Sequence, residues 1–140
     1  MTNRKLAYIV KDQEPLVLAA NETVLHACRC MRERHAGSVL VIDDQQRLSG
    51  IFTGRDAVRT LAEGKHAAVT TPPQVMTPNP VTITPESRAI DALRTMSDGG
   101  FRHLPVVEKE MIWGIVSRGD FKGMEIDQLD EEDHLWECIR

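Results

Sequence analysis

The residues best suited to chemistry in this chain come in two matched sets. Thr53 and Asp56 stand in the run Gly50-Ile51-Phe52-Thr53-Gly54-Arg55-Asp56, and Ser117 and Asp120 in Gly114-Ile115-Val116-Ser117-Arg118-Gly119-Asp120. A carboxylate can accept both hydroxyls of a ribose, and a hydroxyl can donate to a sugar or phosphate oxygen, so the pattern suits a nucleotide. The same spacing also describes a capping box, in which Thr or Ser caps a helix and the acid three residues on reaches back to an orphan N–H. Both readings stand for a single copy. A helix N-terminus that attracts phosphate, and a glycine that lets backbone approach a flat ring, favour the ligand.

The two runs are 64 residues apart at each matched position. A repeat of that length is one folding unit used twice, so a ligand held between the halves should meet a hydroxyl and a carboxylate from each. Upstream, Val24, Ala27, Cys28 and Met31 in one copy and Ala89, Ala92, Leu93 and Met96 in the other fall at i, i+3, i+4 and i+7. That spacing predicts amphipathic helices, the first ended by Gly37 and the second by Gly99-Gly100. Apolar runs at Val39 to Ile42 and Leu104 to Val107 follow, then polar turns, then the signature runs, which reads as strand, turn, strand.

A second helix should follow each signature, with Ala57, Val58, Leu61 and Ala62 as the stripe of the first and Phe121-Lys122-Gly123-Met124 a shorter second. Leu16-Val17-Leu18 and Val81-Thr82-Ile83 are apt for strands ahead of the first helices. The unit is therefore β-α-β-β-α, present twice. The divisions are a lead-in at 1–14, the first copy at 15–66, a linker at 67–79 held to the surface by Val75-Met76, the second copy at 80–126, and an acidic and apolar helical tail at 127–140.

Composition sets limits. The net charge of −4, with no basic block, gives little support to nucleic-acid binding. No apolar run approaches a membrane span, and with a reducing compartment the simpler reading for three cysteines, a soluble cytoplasmic protein is expected. Cys28 and Cys30 lie about 200° apart around a helix and cannot chelate one metal together, so no metal site is expected. Cys28 is expected as a small core residue, and His26, His35, His66 and His134 as surface residues. With no Walker loop, no H-E-x-x-H, no G-x-S-x-G and no carboxylate pair at the signatures, no catalytic residue is expected.

The order of elements, the phrases Val75-Met76-Thr77-Pro78-Asn79-Pro80-Val81-Thr82-Ile83 and Phe101-Arg102-His103-Leu104-Pro105-Val106-Val107, and both signatures together resemble a tandem pair of cystathionine-β-synthase (CBS) domains, the Bateman module. The resemblance covers roughly Pro15 to Met124. It implies an α+β fold of two repeats related by pseudo-two-fold symmetry, and a face-to-face homodimer. It also implies an adenosine-containing regulatory ligand (AMP, ADP, ATP or NAD) whose occupancy is passed to an effector protein.

Carried over residue by residue, Asp56 and Asp120 would meet ribose and Thr53 and Ser117 ribose or phosphate. Arg102 and His103 would meet phosphate, and Thr82 and Ile83 the base, beside Pro105. Arg55 and Arg118, inside the signatures, are further cations for phosphate. With the copies aligned at the interval of 64, Arg102-His103 match Ser38-Val39, Thr82-Ile83 match Leu18-Ala19, and Pro105 matches Val41. The Ser117/Asp120 site is therefore expected to be the better formed. Two rivals stand beside this reading: a structural or oligomerisation module whose signatures only cap helices, and a sensor of S-adenosylmethionine, which leaves the Arg/His set without a phosphate.

Overall fold

The computed structural model describes residues 3–121. The expected tail helix, with Leu129, Leu135, Trp136, Ile139 and Cys138, lies outside them, as does the second helix expected after Phe121. The chain divides into two compact units, Glu14–Pro80 and a second made of the segment up to Gln13 with the chain from Val81 onward. Each copy of the repeat is thus completed by the stretch that precedes or follows the other in sequence.

In the first unit the order is β1 (Val17–Ala19), α2 (Val24–Arg34), β2 (Ser38–Ile42), β3 (Leu48–Thr53), α3 (Gly54–Ala62) and β4 (Thr77–Pro78), the first helix of the chain, α1 (Leu6–Val10), belonging to the other unit. Its sheet runs β1-β2-β3-β4, with β1 parallel to β2 and the rest antiparallel. The expected helix face does the packing: Val24, Ala27 and Met31 meet Val39, Val41 and Phe52, with Cys28 packed beside them. Val75 joins that core at 4% exposure, which fixes the linker as expected. Thr23 starts α2 by accepting a hydrogen bond from the His26 N–H at 3.0 Å. The helix ends earlier than Gly37: His35 takes the left-handed conformation at φ 52°, and the Ala36 N–H reaches the Met31 carbonyl at 2.9 Å.

The second unit holds α1 (Leu6–Val10), α4 (Ala89–Gly99), β5 (His103–Glu108), β6 (Met111–Ser117) and a 3₁₀ turn at Arg118–Asp120. Its core joins Leu6 and Val10 to Leu93, Met96, Leu104, Val106, Val116 and Phe121. The expected strand at Val81 to Ile83 contracts to one parallel bridge, Ile83 with Val106. The Ile83 N–H donates to Pro105 O at 3.0 Å and Ile83 O accepts from the Val107 N–H at 2.9 Å. The Thr84–Ser87 turn containing Pro85 then carries the chain away, since proline cannot donate to a ladder.

Strand pairing revises the alignment of the copies. Gly50 opposes Val41 but Gly114 opposes Val106, an interval of 65 on the partner strand against 64 on the signature strand. The helix caps keep the longer interval, Thr23 with Arg88 and His35 with Gly100. The difference lies in the hairpin. Residues 43–47 separate the Ile42 and Leu48 pair, whereas residues 108–111 separate Val107 and Ile112, and the tighter turn puts Lys109 and Glu110 at φ 52° and 65°. The counterparts of Arg102, His103, Pro105 and Ile83 are therefore Gly37, Ser38, Leu40 and Leu18, not Ser38, Val39, Val41 and Ala19.

Candidate functional site

In the second unit, β5 and β6 bring the expected residues to one end of a ladder. His103 lies opposite Ser117, and the Arg118 N–H continues the pairing to Arg102 O at 3.2 Å. Strand alternation sends Leu104, Val106 and Val116 into the core, so His103, Pro105 and Ser117 share the other face. Through the Ile83 bridge, Thr82 and Ile83 run beside Pro105. Past Ser117 the chain turns, and Asp120 Oδ2 accepts from the Ser117 N–H at 2.7 Å and from its hydroxyl at 3.3 Å. The second carboxylate oxygen has no partner among the described residues, and Asp120 is exposed. The structure thus brings Thr82, Ile83, Arg102, His103, Pro105, Ser117, Arg118 and Asp120 to one set of strand ends.

Burial, then the Arg102 guanidinium, hold the His103 imidazole below its usual pKa, while the Asp120 carboxylate pulls the other way. Arg102 and Asp120 thus both act on His103.

The first unit repeats the backbone with different side chains. The Gly54 N–H meets Gly37 O at 3.2 Å, and Asp56 Oδ2 accepts from the Thr53 N–H at 2.9 Å and its hydroxyl at 3.3 Å. Here, however, Asp56 is buried at 5% exposure, and its other oxygen accepts from Arg59 at 3.0 Å. The same guanidinium donates to the Val75 carbonyl. Where the second unit has Arg102 and His103, the first has Gly37 and buried Ser38, leaving exposed Arg55 as the cation of the expected set.

Both signatures therefore realise the capping box. Their glycines make room for neighbouring side chains. A Cβ on Gly50 would lie 2.2 Å from Met76 Sδ, and one on Gly114 would lie 2.6 Å from Gln13 Oε1 and 2.8 Å from Val10 Cβ. Gln13 Oε1 also accepts from the Ile115 N–H at 2.9 Å, in the place where β4 pairs with β3 in the other unit.

Arg59 and Gln13 were not among the expected site residues. Arg59 carried a local signal, a cation three residues after Asp56 on one helix face. Gln13 carried none. His26 has neighbours that its sequence surroundings did not suggest, with Nε2 3.6 Å from Cys30 Sγ and 4.0 Å from Glu22. Among the described residues, no group of three or more His, Cys, Asp or Glu is placed to hold a metal, and no helix is long and apolar enough to cross a membrane.

The repeat, the sheet order and the paired signatures define a tandem α+β module, and its family is shown by comparison with known proteins. The CBS domain profile matches residues 9–63 and again 74–124, and the chain belongs to the CBS-domain family. The CBS domain-containing protein CBSCBSPB2 of Arabidopsis thaliana is 47% identical over 94 residues, which is 66% of this chain and 18% of that protein. The chain thus spans less than a fifth of that relative's length. The CBS domain protein PAE2072 from Pyrobaculum aerophilum, complexed with AMP, shares the fold at TM-score 0.83 and 17% identity, covering 91% of this chain and 99% of that one. The CBS domain pair of protein MJ0100, in complex with 5′-methylthioadenosine and S-adenosyl-L-methionine, matches at TM-score 0.72 and 25% identity, covering 86% and 97%.

Proposed function

We propose that this chain is a regulatory, non-catalytic module that binds an adenosine-containing nucleotide (AMP, ADP, ATP or NAD) at the Ser117/Asp120 signature and reports its presence to an effector protein. The observation that carries this reading is the exposed Asp120 carboxylate, one oxygen fixed by Ser117 and the other without a partner among the described residues, beside Arg102, His103 and Arg118. The free oxygen accepts from a ribose hydroxyl, and the Arg102 and Arg118 guanidinium groups meet phosphate with His103 beside them as a further donor. Thr82 offers backbone groups to the base beside Pro105, while the N–H and C=O of Ile83 are already paired with Pro105 and Val107. The ligands named for the MJ0100 pair share the adenosine ribose with these nucleotides. The cations favour a phosphate-bearing ligand over S-adenosylmethionine, which brings no phosphate and offers them only its methionine carboxylate. Thr53, Arg55 and Asp56 form the weaker second position.

The module works as a homodimer in this reading. Val58 and Leu61 on α3 are 66% and 75% exposed, an apolar pair that a second copy would bury. Phe121 is 7% exposed in the second unit's core and leaves no apolar surface for a partner. The half-buried free thiols Cys28 and Cys30 suit a reducing compartment such as the cytoplasm.

Thermal melting with AMP, ADP, ATP, NAD and S-adenosylmethionine tests the reading. A ligand at 100 times its Kd adds about 2.7 kcal/mol to the native state, so at least one phosphate-bearing ligand should raise the Tm. No shift with any of them at millimolar concentration would leave the structural module as the account.

A further inference from the structure

We infer that Arg59 decides which of the two signatures takes a ligand, by holding Asp56 in an internal ion pair that closes the first signature to a ribose. This rests on the reading that the signature aspartate meets ribose. The two aspartates have the same backbone surroundings, since each accepts from the N–H and hydroxyl of the residue three positions earlier. They differ in the other oxygen. That of Asp56 accepts from Arg59 at 3.0 Å inside a site where the Asp56 side chain is 7% exposed, whereas Asp120 is exposed.

Arg59 is itself tied down. It donates to the carbonyl of Val75, a core residue of the linker, and its Nε lies 3.9 Å from Glu63. A ribose approaching Asp56 would have to displace a charge-assisted hydrogen bond and leave a buried carbonyl without its donor, and an uncharged sugar hydroxyl offers less in return. The second copy cannot build this bridge from the same position. At the interval of 64 that relates the signatures, the counterpart of Arg59 is Gly123, which has no side chain. Arg59 is therefore a specificity-determining residue: it makes two near-identical signatures unequal without altering either.

The experiment is calorimetric stoichiometry on the whole chain with AMP, and with S-adenosylmethionine as the phosphate-free probe. The wild-type chain should bind one ligand per chain, and Asp120→Asn should weaken that binding roughly 10- to 150-fold. Arg59→Gln should bind two, and adding Asp56→Asn to Arg59→Gln should return the count to one. Arg59→Met, which keeps the aliphatic stem, serves if Arg59→Gln does not fold by circular dichroism. One ligand for both wild type and the Arg59 variants, with Asp120→Asn still weakening it, overturns the role of Arg59 and leaves the Asp120 site standing. Two ligands on the wild-type chain also overturn it. No binding of either probe to wild type or variant overturns both readings.

Discussion

His103 faces Ser117 across the β5–β6 ladder in the same place where Ser38 faces Thr53 across β2–β3. One position before each, the backbone carbonyls of Arg102 and Gly37 accept from Arg118 and Gly54 N–H groups, both at 3.2 Å. The two units are thus built alike in backbone, while a histidine preceded by an arginine stands opposite the signature hydroxyl at only one of the ladder ends. That asymmetry sets the expected pH behaviour.

Burial and Arg102 lower the pKa of His103 from its ordinary 6.5, so the folded chain binds a proton there less readily than the unfolded chain. Its contribution to stability is complete above pH 6.5 and is lost as pH falls through the folded pKa. A bound phosphate acts in the opposite direction, favouring the imidazolium, so AMP binding should take up a proton and tighten between pH 7.5 and pH 6. Calorimetry in buffers of different ionisation enthalpy should detect that uptake. His103→Gln should abolish it, and a pH-independent AMP affinity in the wild-type chain would contradict a phosphate beside His103.

The signature glycines make a second, unequal pair. A methyl on Gly114 would meet Val10 Cβ at 2.8 Å, close to backbone that cannot move freely, while one on Gly50 would meet the flexible far end of Met76. Gly114→Ala should therefore cost about 1–3 kcal/mol by overpacking, and Gly50→Ala less. Denaturant titration of both variants checks this, and an equal or larger loss at Gly50 would contradict it.

Dimerisation through α3 predicts that light scattering returns twice the 15.7 kDa chain mass at micromolar concentration. Leu61→Glu should give the monomer mass with little change in circular dichroism, because Leu61 is 75% exposed in the single chain. A wild-type monomer, or a Leu61→Glu dimer as tight as wild type, would contradict the α3 interface.

The repeat, the amphipathic helices and both hydroxyl-to-aspartate signatures were legible because each is a short-range pattern. Val24, Ala27 and Met31 announce their buried face by spacing alone, and Ser117 and Asp120 meet within one turn. What sequence could not place depends on distant partners. The one-residue difference is invisible in the signature interval of 64, although the helix positions already carry it, Val24 to Ala89 and Met31 to Met96 being 65 apart; the residues opposite Gly50 and Gly114 place it in the hairpin. The five residues of α1 are too few to show a helical period, and they fold because Leu6 and Val10 are taken into the second unit's core. His35 ends α2 because the Ala36 N–H can close on Met31, which removes the need for Gly37. The burial of Asp56 follows from Arg59 and from Val75, 16 residues further along the chain than Arg59.

The central claim is that Asp120 holds a ribose, and titration calorimetry of Asp120→Asn against the tightest-binding adenosine ligand tests it most directly. Asparagine keeps the size and can still cap the turn, but it exchanges a charged double acceptor for a neutral amide with one acceptor oxygen. Losing a charge-assisted hydrogen bond costs about 1.5–3 kcal/mol, so affinity should fall roughly 10- to 150-fold while stability changes by no more than about 1 kcal/mol. Asp56→Asn, which removes the buried charged partner of Arg59 instead, should lower stability and leave affinity per folded molecule nearly unchanged. If Asp120→Asn destabilises the chain and binds the ligand as tightly as wild type per folded molecule, Asp120 is a cap and the ribose assignment is wrong.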